Sequence, residues 1–185
     1  MEFKNKKMLL TFLNNNCYEL DRGSQGIAYY NMEDDNVIKI FYEFFDDEKV
    51  DEYEGKQILA FSNISNDTFI WADDIICVAG NLVGYKTPYI RAKSLYKQDP
   101  LNINLDHFIN DLKRAKSDIE LISKNNVLTF DIMYNTLYGK KISIIDHVDY
   151  SLSDMDYKLL YQHNINNFVL EIYFFLVDGY FDEFV

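Results

Sequence analysis

The chain has 185 residues, 48% of them hydrophobic and 16% aromatic, which is the composition of a folded protein and excludes a disordered one. That length buries one good core or two small lobes around a cleft. The formal net charge of −12 argues against a nucleic-acid or anionic-membrane partner, because phosphates would be repelled, and is compatible with basic peptide or cationic small-molecule substrates.

In chain order, Met1 to Leu13 carries Lys4, Lys6 and Lys7 ahead of a short apolar run, but Asn14, Asn15 and Asn16 stand where a cleavage site would need small residues. The segment reads as a short amphipathic helix, not a signal peptide. Cys17 to Leu20, Ile27 to Asn31 and Val37 to Phe41 read as three strands, with a polar hairpin over Met32 to Asn36. The turn Gly23-Ser24-Gln25-Gly26 joins the first two. Glycines there let backbone N–H groups approach an anion, since no Cβ intervenes. Lys39 lies among apolar residues of the third strand, where an ammonium is costly unless an anion pairs with it. Glycine turn and lysine together describe a phosphate clamp.

Asp46 to Asn63 is predicted helical, with Tyr53, Ile58, Leu59 and Phe61 as its apolar face. Phe69 to Trp71 and Ile75 to Val78 are strand-like, and Ala79-Gly80-Asn81 turns into a further strand, Leu82 to Thr87. Leu105 to Ser123 is an amphipathic helix, with Leu105, Phe108, Ile109, Leu112, Ala115, Ile119 and Ile122 at helical spacing. Asn164 to Val177 reads as a second, almost wholly apolar helix suited to the middle of a lobe. Its run Phe168 to Val177 is interrupted by Glu171 and too short to span a bilayer. Cys17 and Cys77 sit in apolar strand-like surroundings and read as small core residues of a reducing compartment; His107, His147 and His163 form no ligand spacing.

Between the two long helices lie Thr129-Phe130-Asp131-Ile132-Met133-Tyr134-Asn135, a hairpin turning at Gly139, and Ile144-Ile145-Asp146-His147-Val148-Asp149. Asp131 reads as a buried acid followed by an asparagine. Phosphoryl transfer needs an acceptor for the hydroxyl proton and oxygen ligands for Mg²⁺ bridging the nucleotide phosphates. Asp131, Asn135 and Asp146 offer both, with Asp149 as a second or rival metal ligand.

This ordered set resembles the protein-kinase superfamily, over roughly residues 17 to 178: a glycine-rich loop, a third-strand lysine, a catalytic loop and a metal-binding segment. The Ile-Ile-Asp run with a further acid behind it is similar to that of small bacterial kinase-like proteins. The resemblance implies an α+β, two-lobed fold, with residues 1–90 as a small lobe of about five antiparallel strands plus one helix, and residues 91–185 as a reduced, mostly helical large lobe. It implies that Lys39 holds the ATP phosphates under Gly23, Ser24, Gln25 and Gly26, oriented by Glu54 with Glu52 as runner-up. It also implies that the Pro88 carbonyl and Ile90 N–H hold the adenine edge, with Thr87 guarding the pocket behind.

Asp131 would orient and deprotonate the acceptor hydroxyl, and Asn135 and Asp146 would hold Mg²⁺. The pattern also departs from the family. Asp21 stands where the first loop glycine usually is, Thr129 and Phe130 replace His and Arg, Asn135 follows Asp131 by four residues instead of five, and His147-Val148 replaces Phe-Gly. Three readings stay open: an ATP- and Mg²⁺-dependent kinase acting on a hydroxyl, with a protein acceptor favoured; a pseudokinase that binds a nucleotide or a partner; and a small-molecule kinase of the antibiotic-phosphotransferase type. A cytoplasmic location is expected, with export as an effector without a cleaved signal left open.

Overall fold

A computed structural model describes residues 1–50 and 57–181, with side chains through Val177. It is an α+β chain with a mixed six-stranded sheet and, among the described residues, four helices. The chain divides into two compact units: residues 1–62 with 71–89, and residues 63–70 with 90–185. Residues 63–70 thus belong with the C-terminal half, which a single boundary near residue 90 does not capture.

The first unit contains β1 (Glu2–Phe3), α1 (Lys6–Asn16), β2 (Cys17–Arg22), β3 (Gly26–Asn31), β4 (Asn36–Phe41), α2 (Tyr42–Phe45), β5 (Asp74–Val78) and β6 (Asn81–Pro88). Its sheet runs β1-β5-β6-β4-β3-β2, antiparallel throughout except for the parallel β1–β5 edge. Five of the expected strands form here, and β1 is an addition, too short at two residues to leave a periodic signal. Asn5 starts α1 by accepting the Met8 N–H at 3.0 Å, so the expected N-terminal helix begins at Lys6.

Leu9 and Leu13 of α1 pack with Ile38, Ile40, Phe44, Ile76 and Val83 in a buried core on one face of the sheet. Side chains alternate along a strand, so Lys39, between Ile38 and Ile40, points to the other face, where Ala28 and Tyr85 stand opposite it. Ala79 (φ 49°) and Gly80 (φ 78°) turn β5 into β6 through the left-handed backbone that a two-residue hairpin needs. Burial raises both cysteine thiols, Cys17 to about 11, as befits small packing residues.

Two elements differ from the sequence expectation. The helix expected from Asp46 does not begin there: Asp46 closes α2 by donating to the Tyr42 carbonyl at 3.0 Å, and Asp47 is left-handed (φ 59°), which ends the turn. Gln57 and Ile58 are helical, and Glu52, Tyr53 and Glu54 lie outside the described residues. Phe69 to Trp71 is not a strand of the large sheet. Phe69 makes a single parallel bridge to Ile144, with Ile70 N–H donating to the Ile144 carbonyl at 2.9 Å, so residues 69 and 70 join the second unit while Trp71 belongs to the first.

The second unit contains β7 (Lys93–Ser94), α3 (Leu105–Lys124), β8 (Val127–Leu128), β9 (Thr136–Tyr138), β10 (Ile142–Ile144), β11 (Ser151–Leu152) and α4 (Tyr157–Phe181). Asn104 caps α3, accepting the His107 N–H at 3.0 Å. The helix buries Phe108, Ala115, Ile119 and Ile122 of its expected apolar face, whereas Leu105 and Ile109 are exposed. The last helix starts seven residues earlier than expected because Asp156 accepts the Lys158 N–H at 2.9 Å and so caps it. It is not buried all round either: Leu160, Asn164, Phe168, Glu171, Ile172 and Phe175 form one buried stripe, while Val169, Leu170 and Tyr173 are exposed. Among the described residues no helix is long and apolar enough to cross a membrane.

Candidate functional site

In the first unit the sequence brings the glycine turn onto the lysine. Gly23 N–H donates to the Gly26 carbonyl at 3.0 Å, so Ser24 and Gln25 form the tip of a tight hairpin. The tip is tied down at three points. The Gln25 carbonyl accepts from the Tyr42 N–H at 3.1 Å, the Gly23 carbonyl accepts from the Tyr42 hydroxyl at 3.1 Å, and the Gln25 Oε1 accepts from Lys39 Nζ at 3.2 Å. Lys39 is only 8% exposed, and its ammonium lies 5.8 Å from the centre of the Tyr85 ring.

The two glycines have different reasons to be glycine. A Cβ on Gly26 would stand 2.2 Å from the Ile40 carbonyl oxygen, so close approach to β4 excludes any side chain. A Cβ on Gly23 would meet only the Gly26 oxygen at 3.9 Å, so packing does not require a glycine there. Thr87 and Pro88 end β6 opposite Val37 and Asn36, and Ile90 follows in the second unit, its carbonyl accepting from the Ala92 N–H at 2.8 Å.

In the second unit, three of the four expected acidic and amide groups come together. The Asn135 Nδ2 donates to the Asp131 carbonyl at 2.8 Å, and the Ile145 N–H donates to the Asn135 carbonyl at 3.0 Å, which sets Asn135 beside Asp146. Asp131 and Asp146 both act on the wholly buried Tyr150, whose phenol is pushed far up, by burial first and by those two carboxylates next. Asp131 is exposed, not buried: β8 ends at Leu128, and Asp131 sits in the loop beyond it, outside the sheet. Asp149 lies three residues past Asp146, exposed in a turn closed by Tyr150 N–H donating to the His147 carbonyl at 3.1 Å.

Asp131 (φ 46°), Tyr134 (φ 68°) and Asp146 (φ 59°) all have left-handed backbone, a sparsely populated conformation for side-chain-bearing residues. Such strain gathers where surrounding structure over-determines it, commonly at functional sites.

The surrounding structure here is α4. Asn164 is fully buried: its Oδ1 accepts from the Thr129 N–H at 3.0 Å and the Thr129 hydroxyl at 2.9 Å, and its Nδ2 donates to the Val127 carbonyl at 2.8 Å and the Ser123 hydroxyl at 2.9 Å. Asn167 adds a bond to the Thr129 carbonyl at 3.1 Å. Glu171, one turn on, accepts from the Tyr134 N–H at 3.4 Å. Burial holds its carboxyl up at about 6, with the Asp131 carboxylate adding to the effect.

Sequence reasoning missed Asn164, Glu171 and Tyr150. The available signal was that Asn164 and Glu171, seven apart, fall on the same helix face as Phe168 and Phe175. Removing the Asn164 side chain orphans several buried groups at once. Asn164→Ala is expected to lower stability by about 3 kcal/mol, read as a shift of the urea midpoint.

No family model matches the sequence, and no curated protein gives a significant match. Among the described residues, no three His, Cys, Asp or Glu side chains converge to hold a metal. Asp146 and Asn135 are nonetheless hard oxygen donors, as Mg²⁺ prefers. Because Asn135 spends its NH₂ group on the Asp131 carbonyl, its Oδ1 is the atom suited to a cation. A site of one carboxylate and one amide oxygen fits Mg²⁺ carried in on nucleotide phosphates better than a dedicated all-protein cage.

Proposed function

We propose that the chain is a minimal kinase-like phosphotransferase, the first unit serving as small lobe and the second as reduced large lobe. It would transfer the γ-phosphoryl group of ATP to a hydroxyl, with a protein acceptor favoured. The observation that carries this reading is Lys39, an ammonium held in a central strand and bonded to the tip of the glycine turn. A lysine so placed is matched to an anion lying under that turn.

The roles follow residue by residue. Lys39 pairs the α/β-phosphates, exchanging the Gln25 carboxamide for them, and Gly23 to Gly26 cover the phosphates. Thr87, Pro88 and Ile90 border the adenine. Glu54 would orient Lys39. Asp131 accepts the proton of the acceptor hydroxyl as its oxygen bonds to the γ-phosphorus and the bond to the ADP oxygen breaks. Mg²⁺, held by Asn135 and Asp146 with Asp149 as a further acid, would neutralise charge on the phosphates.

Two measurements test the clamp. ATP with Mg²⁺ is expected to raise the melting temperature of the wild type, and Lys39→Ala to abolish that rise with its own melting temperature retained. An unchanged rise in the variant assigns Lys39 to packing alone. On the metal side, Asp146→Asn is expected to weaken Mg²⁺-dependent nucleotide binding more than Asp149→Asn, by isothermal titration. The reverse order makes Asp149 the principal ligand.

The rival reading is a pseudokinase serving as a nucleotide- or partner-binding module. The engagement of Lys39 by Gln25 favours it, as do Thr129 and Phe130 in place of His and Arg. Nucleotide binding without transfer to protein, water or small molecule would select it. Transfer to a cationic small molecule alone would select the antibiotic-type kinase.

A further inference from the structure

The buried stripe of helix α4 is otherwise apolar, yet it contains Asn164 and Glu171, two turns apart on one face. Glu171 is 1% exposed. Its Oε2 accepts from the Tyr134 N–H, and its Oε1 has no hydrogen-bond partner among the described residues. A carboxylate buried this deeply and half-satisfied is costly, and an apolar side chain of the same size would serve the helix core better. What Glu171 and Asn164 share is the loop they hold. Asn164 and Asn167 grip Thr129, two residues before Asp131, and Glu171 grips Tyr134, three residues after it.

Between these grips the backbone turns left-handed at Asp131 and again at Tyr134. Asn135 closes the turn by bonding to the Asp131 carbonyl, and its own N–H reaches the Ile132 carbonyl at 3.1 Å. Thr136 adds a hydroxyl bond to the same carbonyl at 3.3 Å. The loop's internal bonds fix its shape, while the α4 bonds fix where that shape sits.

We propose that Glu171 is a positioning residue: acting with Asn164, its buried carboxylate anchors the far end of the 129–135 loop and so holds Asp131 and Asn135 in place. Its effect on catalysis rests on the phosphotransferase reading; its effect on the loop does not. Glu171→Gln keeps an acceptor oxygen for the Tyr134 N–H, whereas Glu171→Met and Glu171→Leu remove it and remove the cost of burying charge.

Amide hydrogen exchange by mass spectrometry should show residues 131–136 exchanging at least about 10-fold faster in Glu171→Met, with the first unit unchanged and the melting temperature not lowered. Glu171→Gln should stay close to wild type. In the transfer assay, Glu171→Met should lose about 10²-fold in kcat with KM for ATP unchanged, and Glu171→Gln should retain most activity. The proposal is overturned if the loop exchanges equally in Glu171→Met and wild type. It is also overturned if neither apolar variant folds, which would make Glu171 a purely structural residue. A wild type that transfers no phosphate removes the phosphotransferase reading, and the exchange comparison still decides Glu171.

Discussion

On the phosphotransferase reading, Asp131→Asn is expected to slow phosphoryl transfer by about 10²- to 10⁴-fold while leaving ATP affinity within about twofold. The substitution keeps the side-chain shape, the left-handed backbone that asparagine tolerates well, and the carbonyl to which Asn135 bonds. Only the capacity to accept a proton is lost. Transfer of labelled phosphate and nucleotide binding, measured side by side on the same preparation, separate the outcomes. A variant as fast as the wild type removes Asp131 from the chemistry. A wild type that binds ATP and labels neither itself, water nor any lysate component leaves the pseudokinase standing.

The second large effect is on the fold of the first unit. Gly84 faces Ile40 across β4 and β6, and a Cβ there would lie 2.1 Å from the Lys39 carbonyl oxygen. Gly26 meets the Ile40 oxygen almost as closely from the other side of β4. The obstructing atoms are backbone in the middle of a sheet and cannot swing away as a side-chain end would. Gly84→Ala and Gly26→Ala are each expected to cost about 3 kcal/mol, visible as a lowered urea midpoint.

Gly23→Ala, whose Cβ would make only an ordinary 3.9 Å contact with the Gly26 oxygen, is expected to leave that midpoint within about 0.5 kcal/mol of wild type. The same variant is informative for function. If Gly23 is glycine so that phosphates can approach the backbone, Gly23→Ala lowers ATP affinity in a protein that is otherwise intact. Unchanged affinity would make the turn a plain hairpin.

The positions of most strands in the first unit were legible because their signals are local. Short apolar runs, a glycine pair and an Ala-Gly turn mark where strands start and reverse, and one lysine in an apolar strand stands out by its desolvation cost. Helix α3 was legible for the same reason, from its apolar spacing; its Asn104 cap emerged only in the structure. Lys39, Gly23 to Gly26, Asp131, Asn135 and Asp146 stood out by residue type and spacing alone, which says nothing of their contacts.

Tertiary structure decided the rest. The two-residue β1 exists only because β5 offers it an edge, and Phe69 is drawn to Ile144 across a sequence separation that no local pattern encodes. The exposure of Asp131 follows from where β8 stops, not from the apolar residues that flank the acid in the sequence. The grips of Asn164 and Glu171 on the Asp131 loop span 35 and 37 residues, so the helix sequence shows them only as polar residues on an otherwise apolar face. Periodicity reports which face of an element is buried. Which polar atom on that face meets which backbone group depends on how distant segments pack, because a buried hydrogen bond forms only where the fold brings donor and acceptor together.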